Sequence, residues 1–520
     1  MTFDITSMLD PEVYNHPVEH IELIETHISW VLLTGKYAYK IKKPVNFGFL
    51  DFSTLKKRQA CCEQELYLNR RLASSIYLDV VAISAVKNKS FLSISGDDGD
   101  NNEIIEYAVK MLQFQQSAQF DHMLATGELD KKHMDATARM VAEFHQAIKV
   151  CDDSMDYGNK DMIYQPVKEN FTQINEHLET EPYVDKLDAL TQWCRTEYVK
   201  LEYVFEQRKH DGFIRECHGD MHLRNLVWLN GRALAFDCIE FSSKLRWIDV
   251  MSEIAFLIMD LQDRKQQLLA NRFLNSYLEI TGDYEGLSVL TFYLCYRAMV
   301  RAKVAALRLE QENIATEERK KSLTEFESYL ELATTYTQQP TPKLLIMRGL
   351  SASGKSTVSQ QLLEEFTAIR IRSDVERKRI FEVAFTGDTE NEVESGIYSA
   401  QASQQTYAKL TELASQIITA GYSVIVDAAF LKHEQRKPFQ LLAESLNVPY
   451  IILEIIAPAE TLRQRIRQRK NDVSDADLTI LEYQLANFKP LHESEAYQVI
   501  TVDTVKPLDI KAMIDEINAC

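Results

Sequence analysis

The chain contains no CxxC pair, and its eight cysteines are scattered. In a chain this long, that pattern predicts reduced thiols and a cytoplasmic protein rather than a disulfide framework. The opening residues, Met1-Thr2-Phe3-Asp4-Ile5, lack a basic region followed by an apolar run, which argues against a signal peptide. The apolar runs at 254–261 and 287–296 are too short to span a bilayer and are expected as buried helices. Positive charge is in deficit. Against 77 aspartates and glutamates stand 58 lysines and arginines, a net of −19. This balance disfavours a general nucleic-acid or membrane-surface binder, although local basic clusters can still meet phosphates. The rest of the composition, 45% hydrophobic and 26% charged, is that of a globular protein. A length of 520 residues predicts two or three domains.

One stretch organises the first two-thirds of the chain. His218-Gly219-Asp220-Met221-His222-Leu223-Arg224-Asn225 precedes an apolar run at 226–229 and then Ala235-Phe236-Asp237. The expected structure is a loop and two short strands that end in a second acid. Phosphoryl transfer needs mostly positioning and charge neutralisation, and this spacing can supply both. Asp220 can orient or deprotonate an attacking hydroxyl. Asn225 can reach a metal ion from the same loop, and Asp237 can hold the metal that bridges the ATP phosphates. A metal cluster of Cys217, His218, Asp220 and His222 is the competing arrangement, and no second ligand cluster lies nearby to support it.

Strands are expected at 28–33 and 37–42 around a Thr34-Gly35 turn, with Lys40 in the second. A helix at 55–72 carries Glu63 and Glu65. Leu68 and Leu72 follow Glu65 at helical spacing, which favours Glu65 as the residue beside the core. Lys42, Lys43, Lys56, Lys57 and Arg58 form a basic cluster, read either as a solvated face or as a surface for an acidic substrate. Further strands are expected at 80–86, 90–95 and 106–112, with a polar turn at 97–102. Helices are expected over 130–148, over 167–207 and throughout 272–332. His145 reads as a core histidine.

After a polar, proline-bearing stretch at 335–342, the composition resets. An apolar strand at 344–347 runs into Gly349-Leu350-Ser351-Ala352-Ser353-Gly354-Lys355-Ser356-Thr357, a complete G-x-x-x-x-G-K-[ST] phosphate loop. Its glycines let the backbone curl so that successive N–H groups face phosphate oxygens. Lys355 is expected to neutralise the β- and γ-phosphates, and Ser356 to ligate Mg²⁺. A strand at 368–372 leads to Ser373-Asp374-Val375-Glu376-Arg377. A helix at 397–420 follows, and then a strand at 423–427 that ends in Asp427. The helix at 461–470 is basic, with Arg463, Arg467 and Lys470 on one side. A last strand is expected at 497–502 and a last helix at 507–519.

The H-G-D-x-H-x-x-N…D pattern of residues 218–237 resembles the aminoglycoside phosphotransferase branch of the protein-kinase-like fold. The resemblance implies that Lys40, in its Ala-x-Lys-Ile context, meets the ATP phosphates. Glu65, or alternatively Glu63, would then pair with it. It also implies a hinge near 106–114 and a structural role for Asp249 beneath the catalytic loop. Two departures stand out: no G-x-G-x-x-G precedes Lys40, and Cys238-Ile239 follows Asp237 where protein kinases have Phe-Gly. The C-terminal motifs resemble small-molecule and polynucleotide kinases. There, Asp374 would accept the acceptor's proton, doubling as or replaced by a helix N-cap. Arg377 would hold acceptor or phosphate. Asp427, at a Walker-B-like position, would bind substrate or order the Mg²⁺ shell. Arg463 and Arg467 would be lid arginines, with the choice between them open.

Taken whole, the chain resembles a fused family in which an aminoglycoside-phosphotransferase-like kinase is joined to a P-loop kinase-like ATP-binding domain. The implied fold class is α+β followed by α/β. A two-lobe kinase-like domain spans 1–335, with a small lobe to about 112 and a large lobe from 113. A linker spans 336–342, and a P-loop domain with a parallel sheet spans 343–520. The implied function is ATP- and Mg²⁺-dependent transfer of the γ-phosphate to a hydroxyl of a small molecule, at two sites. A regulatory P-loop ATPase with a kinase-like binding module is one alternative, and a polynucleotide 5′-hydroxyl kinase is another. The acidity of the chain disfavours nucleic acid as a partner. Neither the acceptor nor the oligomeric state is legible.

Overall fold

The computed structural model describes residues 3–46, 50–85, 92–95, 103–178, 181–309, 315–338, 340–381, 399–468, 478–492, 495 and 499–520. The expected polar turn at 97–102 lies outside them, as do Val86, Ser90, Phe91, Ile397, Tyr398, Arg469, Lys470, Tyr497 and Gln498 from the ends of expected elements. By its contacts the chain divides into two units. One is Met1–Pro166 with Phe205–Asp260, and the other is Val167–Val204 with Leu261–Cys520.

The first unit is built on a six-stranded antiparallel sheet of order β1-β2-β3-β6-β4-β5. Its strands are β1 (Glu22–Glu25), β2 (Ser29–Leu33), β3 (Tyr37–Lys42), β4 (Tyr77–Ala85), β5 (Leu92–Ser95) and β6 (Glu103–Leu112). Helix α1 (Leu55–Ala73) lies between β3 and β4 in sequence and packs against β6 and β4. The sheet works by strand alternation. On β3, Tyr39 and Ile41 join an apolar layer with Met8, Val13, Leu32 and Ile83. Lys40 and Lys42 therefore share the opposite face, the one that meets α1.

Beyond the sheet come α2 (Phe120–Ala125) and α3 (Lys131–Ala147), the latter started by an Asp130–His133 capping box. Helices α4 (Lys160–His177), α5 (Val184–His210) and α6 (Val250–Asp263) have residues in both units. Strand β7 (Ile214–Glu216) leads into the loop at 218–225. β8 (Leu226–Leu229) and β9 (Arg232–Ala235) form the hairpin that follows, and β10 (Trp247–Asp249) returns to pair with β7.

The second unit contains α7 (Gln267–Thr281), α8 (Leu287–Leu309) and α9 (Thr316–Tyr336). The helical stretch expected throughout 272–332 is interrupted after α7. Gly282 closes α7 in a left-handed conformation, φ 75°, that a side chain would strain. The same unit holds a five-stranded parallel sheet. Its strands are β11 (Leu344–Arg348), β12 (Ala368–Arg372), β13 (Ser423–Asp427), β14 (Tyr450–Ile456) and β15 (Val499–Asp503), in the order β12-β13-β11-β14-β15. All five residues of β11 are buried, which explains their unalternating apolar run. Helices α10 (Lys355–Glu365), α11 (Ser373–Ile380), α12 (Ala400–Thr419), α13 (His433–Leu446), α14 (Ala459–Gln468), α15 (Leu478–Ala486) and α16 (Ile510–Ala519) complete it. Among the described residues, no helix is long and apolar enough to cross a membrane.

Candidate active sites

In the first unit, the face shared by Lys40 and Lys42 becomes a charged knot. Glu65 of α1 is fully buried and receives both lysines, with Lys40 Nζ at 2.8 Å from one oxygen and Lys42 Nζ at 2.5 Å from the other. Lys40 Nζ also lies 2.5 Å from Asp237 Oδ1, and Lys42 pairs with Glu240. Glu63, on the exposed side of α1, accepts the Gln59 amide at 3.0 Å instead. Burial alone would push the Lys40 ammonium toward neutrality, but Asp237 and Glu65 outweigh it and hold it charged. Burial likewise opposes the Glu65 carboxylate, and the two lysines overcome that and lower its pKa. The expected basic cluster divides, with Lys56 and Lys57 exposed and the others drawn into ion pairs. Lys42 and Arg58 are buried in ion pairs, Arg58 with Glu106 at 2.8 Å, while Lys43 pairs with Glu25 and Lys57 with Asp51.

The loop at 218–225 is held from beneath. Glu253 of α6 accepts the backbone N–H groups of His218 and Gly219, each at 2.7 Å. This brace differs from the expected one, because Asp249 is occupied by Arg208 at 2.7 and 2.9 Å. Gly219 stands at φ 89°, and a Cβ there would lie 2.7 Å from the Leu245 carbonyl. His218 donates from Nε2 to the Phe236 carbonyl at 2.9 Å and accepts the Asp220 N–H at Nδ1, 3.3 Å away. Those two bonds require the neutral ring, and burial lowers its pKa accordingly. Asp220 accepts the Asn225 amide at 2.9 Å and keeps its side chain about one-third exposed. Asp237 stands at φ 62°, a left-handed position uncommon for a residue with a side chain, with its N–H on the Tyr77 hydroxyl at 3.1 Å. The competing metal cluster is not assembled. Among the described residues, the gathered set of that kind is His145, Cys217 and Glu253, and there the Glu253 oxygens already accept backbone N–H groups.

In the second unit, β11 feeds the phosphate loop and α10 starts at Lys355. The loop turns through two left-handed residues, Ala352 at φ 61° and Gly354 at φ 99°. A Cβ at Gly349 would lie 2.6 Å from the Ile455 carbonyl, so only glycine fits there. Lys355 Nζ donates to the carbonyls of Gly349 and Leu350, both at 2.9 Å, and the Ser351 N–H reaches Gln484 at 2.8 Å. Ser353 is buried, whereas Ser356 and Thr357 are exposed at the start of α10.

Lys355, Ser356, Asp374, Arg377 and Asp427 all line one cleft of about 1720 Å³. Asp374 lies in the first turn of α11, not at its N-cap, which is Arg372. Burial raises its pKa against the pull of Arg377, which is 3.7 Å away, and of Arg372. Asp427 is buried at the end of β13 and accepts the Ser359 hydroxyl at 3.2 Å.

Of the basic residues on α14, Arg463 faces Glu482 at 2.7 Å, and Arg467 is exposed. The arginine that reaches the phosphate loop is Arg465. It donates to the carbonyls of Ala352 and Ser353 at 3.2 Å and to Thr504 at 2.9 Å. Helical spacing held a signal for it, since Arg465 projects from a different side than Arg463 and Arg467.

Residues 344–491 match the AAA domain family. An uncharacterized protein of Mycobacterium tuberculosis is 28% identical over 470 residues, covering 89% of this chain and 90% of its own length. Among solved structures, the amicoumacin kinase hAmiN is 12% identical with a TM-score of 0.39, and the match covers 63% of this chain and 94% of that one. A gluconokinase from Sinorhizobium meliloti is 18% identical with a TM-score of 0.24, over 34% of this chain and 90% of that one. The chain combines an α+β N-terminal region on an antiparallel sheet with an α/β C-terminal region on a parallel sheet, the latter holding the residues that match the AAA domain family.

Proposed function

We propose that the chain is an ATP-dependent phosphotransferase with two Mg-ATP sites, each transferring the γ-phosphate to a hydroxyl of a small molecule. In this reading residues 1–335 form the kinase-like domain, 336–342 the linker and 343–520 the P-loop domain. The observation that carries it is the cleft of the second unit, where a phosphate loop, a lysine, a carboxylate–arginine pair and a buried strand-end acid face one space.

In that cleft the curled backbone and Lys355 would hold and neutralise the phosphates. Ser356 and Asp427 offer the hard oxygen donors that Mg²⁺ takes. When bound, the ion would neutralise charge on the phosphate oxygens. Asp374 would take the acceptor hydroxyl's proton, and Arg377, one turn along α11, would hold acceptor or phosphate. Arg465 fixes the loop carbonyls, which makes it a positioning residue.

In the first unit Lys40 would hold the phosphates, kept charged and aimed by Glu65. Asp237 and Asn225 fit Mg²⁺ as oxygen donors, because the Asn225 nitrogen is spent on Asp220, which leaves its carbonyl oxygen for a cation. Asp220 would orient or deprotonate the acceptor hydroxyl. Its partial exposure supports contact with an entering substrate.

The test is phosphate transfer from γ-labelled ATP into a small-molecule extract and into short DNA and RNA, beside Asp220→Asn and Lys355→Ala. Two labelled small-molecule products, each removed by a different substitution, are expected. Release of free phosphate alone, abolished only by Lys355→Ala, would replace this reading with a P-loop ATPase carrying a kinase-like binding module. Label in the nucleic acid would point to a polynucleotide kinase.

A further inference from the structure

The parallel sheet has an open edge at β12, and a helix from well before the phosphate loop covers it. Helix α7 ends at Thr281, far upstream of residue 344, where the match to the AAA domain family begins. It nevertheless packs on α10 and β12. Asn275 acts as a stand-in peptide along the strand edge. Its Nδ2 donates to the Ala368 carbonyl at 3.0 Å, and its Oδ1 accepts the Arg370 N–H at 2.8 Å. Asn271 donates to the Leu363 carbonyl at 3.2 Å.

One turn further along α7, Glu279 divides its carboxylate between two arginines. Arg372 Nη1 lies 3.1 Å from Oε1, and Arg370 Nη2 lies 3.2 Å from Oε2. Both guanidinium side chains are about nine-tenths buried. Arg370 continues inward and donates from Nη1 to Ser359 Oγ at 3.4 Å. The Ser359 hydroxyl in turn donates to Asp427 Oδ2 at 3.2 Å. Arg372 lines the cleft two residues before Asp374.

We propose that Glu279 is a positioning residue of the P-loop site, holding Arg372 directly and, through Arg370 and Ser359, the cation-facing Asp427. The proposal rests on reading the P-loop half as a Mg-ATP phosphotransferase. A buried guanidinium needs an anion, and two of them share this one. Arg372, Asp374 and Asp427 line the same cleft, and Arg370 is one hydroxyl away from Asp427. With Glu279 neutralised, the arginines would turn to those acids and occupy the groups that the cation and the acceptor need. Glu279 thus reserves Asp427 and Asp374 for chemistry, and the P-loop site is incomplete without a helix that its own motifs do not include.

The test uses the full chain and a fluorescent ATP analogue, titrated with and without Mg²⁺. The signal counted is the part abolished by Lys355→Ala. Glu279→Gln keeps the shape of the side chain and removes its charge. It should bind the analogue like wild type in EDTA, while the Mg²⁺ concentration for half-maximal binding rises about tenfold. Ser359→Ala should move that concentration the same way, about threefold. Asn275→Ala should lower the thermal midpoint and leave the Mg²⁺ response as in wild type. A folded Glu279→Gln protein with the wild-type Mg²⁺ response overturns the proposal. If that variant fails to fold, an unchanged response in Ser359→Ala overturns it instead. A wild-type signal that does not depend on Lys355 overturns the P-loop reading itself, and this proposal falls with it.

Discussion

The two units hold positive charge at their candidate sites in opposite ways. In the first, Lys40 and Lys42 are pinned by Glu65, Asp237 and Glu240, side chains from segments far apart in the sequence. In the second, Lys355 rests on the carbonyls of its own loop, and Arg465 ties two more of those carbonyls in place. One site is wired through side chains and depends on long-range packing. In the other, the phosphate loop itself is shaped by its backbone within nine consecutive residues. Damage should therefore spread differently: a lost acid in the first unit strips two lysines at once, while a lost contact around the phosphate loop leaves most of the loop intact.

The largest expected effect compares the two lysines. Lys355→Ala should reduce its labelled product by about 10³-fold, and Lys40→Ala should do the same for the other product. Transfer from γ-labelled ATP checks both, and a single substitution that silences both products would erase the comparison.

Glu65→Gln should destabilise the first unit by about 3–5 kcal/mol, because it leaves two buried ammoniums short of a partner. Urea unfolding followed by tryptophan fluorescence suits this measurement, since three of the four tryptophans, Trp30, Trp228 and Trp247, belong to that unit, and Trp193→Phe removes the fourth. An unchanged midpoint would mean that these pairs do not hold α1 to β3.

Arg465→Ala should weaken nucleotide binding at the phosphate loop about tenfold. Arg463→Ala should change it less than about twofold, because its exposed pair with Glu482 contributes little. Equal losses in a binding titration would mean that the Arg465 contacts do not set the shape of the loop.

The smallest effect concerns acid. Glu495 is buried, which would raise its pKa, but hydrogen bonds from Arg436 at 2.7 and 2.8 Å outweigh that and bring it down to about 2. A carboxylate depressed on folding stabilises above its ordinary value of 4.5, and that contribution fades as pH falls toward about 2. Glu495→Gln should flatten the fall of the second unit's thermal midpoint across that window and leave the first unit's fall in place. A wild-type slope in the variant would assign the acid sensitivity elsewhere.

How much of this could be read in advance follows from the same contrast. The phosphate loop was legible because its chemistry is contiguous, and β11, β12 and β13 begin or end within a residue of where their apolar runs do. Lys40 was legible from its strand context. Lys42 carried the same signal, since residues two apart on β3 share a face, yet the run of neighbouring positive charges read as a surface. Glu253 and Asp249 are one helical turn apart, and nothing local says which of them braces the loop. That is decided by Arg208, which claims Asp249. Asn275 and Glu279 gave no local sign of a role, because their partners lie about 90 residues away in sequence.

The covered edge of β12 bears on where this chain can be divided. A bare strand edge offers free donors and acceptors to any other strand, including its twin in a second molecule. A piece cloned from the motif boundary near residue 344 would carry that edge uncapped, with Arg370 and Arg372 stripped of their shared anion. A C-terminal piece that begins before Gln267 would keep α7, and with it the Asn275 cap on this edge and the Glu279 anion between the two arginines.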